Sequence, residues 1–185
     1  YKYSSDDWST TQKNTFHLLE QESSGVGVVS PDGQHISLIL QPHRTAHDDD
    51  FSAQRTYVVV RSAETGKLEG SVEVSGLILG RVLTNDSLAI QTAQNYYPGA
   101  EGQGVISVYP LSNLGGKPST ISSDHWLIGA SRDSLLLSPY SPTTGNDRSA
   151  RFHPFTVTQM GTDGTVRRTI TGVNRVYPGG WLQRF

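Results

Sequence analysis

Gly25-Val26-Gly27-Val28-Val29-Ser30-Pro31-Asp32-Gly33-Gln34-His35-Ile36-Ser37-Leu38-Ile39-Leu40 reads as two short apolar strands around a Pro-Asp-Gly turn. Proline presets φ at one corner of such a turn and glycine accepts positive φ at the next. A second hairpin follows between Thr56 and Val74, with Val58-Val59-Val60-Arg61-Ser62 as its first strand. Its turn is Glu64-Thr65-Gly66-Lys67, and the alternation Ser71-Val72-Glu73-Val74 marks a half-buried strand.

The pair of hairpins recurs twice. The first hairpin returns as Leu77-Ile78-Leu79-Gly80-Arg81-Val82-Leu83 to Leu88-Ala89-Ile90, and again as Trp126-Leu127-Ile128-Gly129-Ala130 to Leu135-Leu136-Leu137. An Asp stands in the tight turn of each copy: Asp32, Asp86 and Asp133. The second hairpin returns as Val105 to Tyr109, then Gly115-Gly116-Lys117, then Ser119 to Ile121. Its third copy runs Phe155 to Met160, Thr162-Asp163-Gly164, and Val166 to Ile170. Gly66, Gly116 and Gly164 are about 50 residues apart, so two independent turns keep one period. Four strands in a repeat of that length is the unit of a β-propeller blade. The expected fold is therefore all-β, with about three blades of four antiparallel strands in a partial or open propeller.

Val28-Val29-Ser30-Pro31-Asp32-Gly33 and the apolar strand after it resemble the opening hairpin of WD40-like and TolB-like blades. Val58-Val59-Val60-Arg61-Ser62-Ala63-Glu64-Thr65-Gly66-Lys67 resembles their closing hairpin, and similar turns occur in quinoprotein-like propellers. The resemblance spans about residues 25–171; the Gly-His and Trp-Asp dipeptides of WD40 repeats are absent. On this reading residues 25–76, 77–125 and 126–171 are three blades. Residues 1–24 supply strands of a preceding blade, and 172–185 begin a further one. Three blades are fewer than the roughly four to eight that close a ring. The expectation is a chain that works with a second chain or a missing segment completing the propeller.

Composition narrows the function classes. A net charge of −2 among 185 residues offers no excess of Lys and Arg to neutralise a nucleic-acid backbone. Apolar runs such as Leu77 to Leu79 fall far short of the roughly 18 residues of a membrane span. With no Cys there is neither a disulfide framework nor a thiolate metal site. Thiol avoidance together with four Lys against eleven Arg favours an extracytoplasmic protein, secreted, periplasmic or surface-anchored.

Four up-and-down strands place the connection inside each hairpin pair on the same end of every blade. Those connections are long: Gln41 to Arg55, Ala93 to Gly104 and Ser138 to Pro154. Insertions confined to one end often mark a repeat protein's binding surface. In the first, His43, His47, Asp48 and Asp50 bring imidazole and carboxylate ligands that suit a divalent metal; a solvated loop is the plainer reading. In the second, Tyr96 and Tyr97 offer rings to stack on a sugar or peptide, or to cover the top of the core. In the third, Arg148, Arg151 and His153 suit an acidic partner or simply solvate the loop. His125 sits in an interblade link on that same end.

No Gly-x-Ser-x-Gly, His-Glu-x-x-His, P-loop or dinucleotide motif is present. No organic cofactor is expected. The chain reads as a non-catalytic binding or interaction scaffold for a protein, peptide or glycan. Two alternatives stand beside it: part of a propeller enzyme, quinoprotein-type dehydrogenase or glycan-processing hydrolase, or a structural half-ring completed by another chain.

Overall fold

The structure, a computed structural model, describes residues 27–40, 55–93, 104–139, 155–173, 176–177 and 181–182. The described strands form three antiparallel sheets of four, each built from four consecutive strands. The first sheet holds β1 (Val28–Val29), β2 (His35–Leu40), β3 (Arg55–Ser62) and β4 (Leu68–Ser75). The second holds β5 (Leu77–Leu83), β6 (Ser87–Ala93), β7 (Gly104–Pro110) and β8 (Ser119–Ser123). The third holds β9 (Trp126–Ala130), β10 (Ser134–Ser138), β11 (Phe155–Gly161) and β12 (Val166–Val173). A two-stranded ribbon, β13 (Val176–Tyr177) and β14 (Trp181–Leu182), follows. The first strands of the sheets stand together, β1 beside β5 and β5 beside β9. Sheets stacked face to face around adjoining first strands are propeller blades, so the chain is a partial propeller of about three blades.

Side-chain alternation assigns each face. Val58, Val60, Val72 and Val74 of the first sheet pack against Leu83, Leu88, Ile90 and Leu114 of the second. The intervening residues of the second sheet, Val82, Ala89, Ile106, Val108 and Ile121, pack against Leu127, Leu135 and Leu137 of the third. The middle sheet thus gives one face to each neighbour. Each fully buried aliphatic side chain there stabilises the stack by about 1.5–3 kcal/mol.

Two glycines permit this closeness. A Cβ on Gly80 would stand 2.5 Å from the Leu127 carbonyl oxygen, so β5 and β9 approach as only a glycine allows. A Cβ on Gly70 would meet Leu114 Cδ1 at 2.8 Å, where the end of the second blade leans on the outer strand of the first.

The recurring turns are less alike than their spacing predicts. In the first blade Ser30 pairs backbone to backbone with His35, enclosing four residues with Gly33 at φ 74. In the second and third, Thr84 pairs with Ser87 and Ser131 with Ser134, enclosing two residues each. No described non-glycine residue has positive φ. These short loops are therefore not the type I′ turns usual at that length. Hydroxyls hold them instead: Thr84 Oγ1 accepts the Ser87 N–H at 2.9 Å, and Ser131 and Ser134 share a 2.6 Å hydroxyl bond. Among the matching glycines, Gly66 and Gly164 take positive φ but Gly116 does not. A short 3-10 helix, Leu111–Asn113, lengthens that connection and removes the need.

Candidate binding surface

Six turns lie at one end of the blades and are tied together. Within blades, the Ala63 N–H donates to the Gln34 carbonyl at 2.8 Å and the Leu111 N–H to the Asp86 carbonyl at 2.8 Å. In the third, Arg167 donates to Asp133 at 2.6 Å. Between blades, Asn85 Oδ1 accepts the Asp32 N–H at 3.1 Å, and the Asn85 N–H donates to the Arg132 carbonyl at 2.9 Å. This end is cross-linked from the first blade to the third.

The other end carries the long connections. They leave β2 after Leu40 and return at Arg55, leave β6 after Ala93 and return at Gly104, and leave β10 after Ser138 and return at Phe155. The interblade links, Gly76 at φ 89 and Asp124-His125, lie at this end as well. Facing sheets pack about 10 Å apart, so the bases of the three connections stand in a row at about that spacing. His43, His47, Asp48, Asp50, Tyr96, Tyr97, Arg148, Arg151 and His153 all belong to these connections and lie outside the described residues.

What the structure does place is the base on which they stand. Gln91, fully buried on β6, donates from Nε2 to the His125 carbonyl at 2.9 Å and accepts the Leu127 N–H at 2.8 Å through Oε1. One amide thus satisfies both polar groups flanking Trp126, where the chain passes from the second blade to the third. His125 is half-buried beside this bond, and its own N–H donates to Ser123 Oγ at 3.1 Å. Val105, 44% exposed, is an apolar side chain open to solvent where the Tyr96–Tyr97 connection rejoins β7. Sequence reading passed over Gln91; its signal is a single amide ending the apolar strand Leu88-Ala89-Ile90.

Arg81, on the first strand of the second blade, is half-buried, and desolvation lowers its guanidinium to about 10, so it stays protonated at neutral pH. Among the described residues no group of three or more His, Asp or Glu is arranged to hold a metal ion. No helix among them is long and apolar enough to cross a membrane.

No protein-family model matches the sequence, and no curated protein matches it. Solved structures do match. An acylaminoacyl peptidase from Pyrococcus horikoshii aligns at TM-score 0.52 and 13% identity, over 84% of this chain and 26% of that one. A eukaryotic initiation factor aligns at TM-score 0.50 and 9% identity, over 86% of this chain and 35% of that one. The β-propeller domain of the trilobed protease from Pyrococcus furiosus aligns at TM-score 0.46 and 9% identity, over 82% of this chain and 44% of that one. The likeness is one of fold. The chain spans about a quarter to a third of the length of the first two proteins.

Proposed function

We propose that the chain is a non-catalytic, extracytoplasmic propeller segment that presents its three long connections to a protein, peptide or glycan. One observation carries the reading: the six turns are bonded to one another at one end, while all three long connections spring from the other. The first end holds the blades in register. The second is free to vary in sequence and length without disturbing the seams. Val105 at the base of the second connection adds exposed apolar area, and the aromatic rings of Tyr96 and Tyr97 in that connection's sequence supply contact area at low entropic cost. His43, His47, Asp48 and Asp50 are the residues proposed for a divalent cation, read by thermal shift with zinc or manganese.

Peptide and glycan arrays probed with the whole chain test the reading. A bound partner should lose about tenfold or more in affinity when Tyr96 and Tyr97 become Ala, a hot-spot-sized loss. Glu64→Ala and Lys67→Ala, at the bonded end, should leave binding unchanged. Binding lost through the turn-end changes and kept without the tyrosines would assign the partner to the wrong end and end the proposal.

A further inference from the structure

Each blade ends in an outermost strand, β4, β8 or β12, with one side unpaired among the described strands. Such an edge offers free N–H and C=O groups to any other strand, and proteins blunt it with charge, proline or a bulge. Two of the three are blunted. β4 carries Glu69 and Glu73, and its pairing with β3 shifts register between Val60 and Arg61. β12 carries Arg167 and Arg168, and its pairing with β11 shifts register twice. β8, Ser119-Thr120-Ile121-Ser122-Ser123, has no charged residue. It pairs with β7 without a shift, from Ser119 opposite Val108 to Ser123 opposite Gly104. Ser119, Thr120 and Ser122 are exposed, while Ile121 is buried against the third blade.

The strand is complementary to itself when reversed. An antiparallel pairing centred on Ile121 sets Ser119 opposite Ser123 of a second copy and Thr120 opposite Ser122, so hydroxyl meets hydroxyl. Charges of opposite sign flank the strand. Lys117, exposed, stands two residues before it, and Asp124, with its side chain 90% exposed, comes directly after it. The contact of Asp124 with His125 Nδ1, 3.8 Å, is long and leaves the carboxylate open. Reversal brings Lys117 of one copy beside Asp124 of the other, and the twofold axis repeats that pair at the far end. A parallel pairing in register would instead set lysine on lysine and aspartate on aspartate.

We infer that β8 is a self-association edge, at which two copies of this chain join by antiparallel strand addition and merge their middle blades into one sheet. The rim is where such a joint fits, because the flanking blades radiate away from it. Pro118 limits the strand, so the contact is short and the association transient, at the low end of interface sizes. Antiparallel joining inverts one copy relative to the other, and their long connections then point in opposite directions.

Sedimentation velocity of the whole chain, from micromolar to millimolar concentration, should show a monomer–dimer equilibrium. Lys117→Asp sets aspartate beside aspartate at both ends and should weaken the dimer about fivefold or more. Adding Asp124→Lys to the same chain reverses both signs and should restore it. Ser122→Lys, a charge on the bare edge, should abolish it. Amide exchange of the unaltered chain gives a second reading: β8 should slow as concentration rises, while β4 and β12 keep their rates. A monomer at every concentration, a charge-swapped chain no tighter than Lys117→Asp alone, or protection at β4 or β12 in place of β8 would each overturn the assignment.

Discussion

Gln91 and Leu127 belong to different blades, yet the amide oxygen of the one accepts the main-chain N–H of the other at 2.8 Å, out of contact with water. A buried donor left without an acceptor loses its solvation with nothing in return. Replacing Gln91 by Leu, similar in size, strands both the Leu127 N–H and the His125 carbonyl. The expected loss is about 2–4 kcal/mol, two groups at roughly 1–2 each. Urea unfolding measures it as a lower midpoint with unchanged slope; a loss below about 0.5 kcal/mol would show that water replaces the amide.

Gly80 faces backbone, which cannot step aside. Gly80→Ala should therefore cost about 1–3 kcal/mol through overpacking against Leu127. Gly115, with nothing near the position of an added Cβ, should tolerate Ala almost without change. Gly70→Ala meets the Leu114 side chain, Cδ1 at 2.8 Å and Cβ at 3.2 Å, rather than backbone, and falls between the two. A double-mutant cycle with Leu114→Ala should give a coupling of about 0.5 kcal/mol or more, since the residues touch.

Asn85→Ala removes the side-chain link to Asp32 while leaving the main-chain link to Arg132 intact. A cost of about 1 kcal/mol is expected, the worth of one hydrogen bond. Amide exchange at Asp32 should quicken more than exchange at Asn85 itself, and the reverse order would disprove the clamp.

Three turn carboxylates make the fold sensitive to acid. Asp133 is held below its ordinary 3.8 by the hydrogen bond and charge of Arg167. Asp163 is held low by the N–H and hydroxyl of Thr165. Burial alone would raise Asp32, but Ser30, Gln34 and His35 together outweigh it and bring it down. Each binds its proton more weakly folded than unfolded, so its stabilisation is complete well above 3.8 and is lost as pH falls through the folded values. Thermal midpoints should drop between about pH 4 and pH 2. Arg167→Ala should shrink that drop, and an identical profile would exclude the Asp133–Arg167 pair as a contributor.

Strand periodicity carried most of the fold. Val72 and Val74 alternate with the exposed Ser71 and Glu73, whereas Val58 and Val60 flank Val59, itself buried, and the four together are what the blade seam buries. Gln91 and Gly80 were not legible, because what each touches belongs to the next sheet and leaves no trace in its own strand's pattern. Gly116 misled for a related reason: its spacing matches Gly66 and Gly164, but the Leu111–Asn113 helix changes the path around it. The residues chosen for chemistry all fall in connections, where composition can nominate a ligand type but no period sets its direction.

The alternation along β6 has a consequence for how such a chain can change. Leu88 and Ile90 belong to one seam, Ala89 and Gln91 to the other. Deleting one residue before Gln91 in this strand would draw those after it back by one step, sending the amide into the Val58–Val72 seam and Thr92 onto the His125 link. The middle blade can neither slip nor shorten by a single step. A change of length in the middle blade has to come in steps of two residues or fall between its strands.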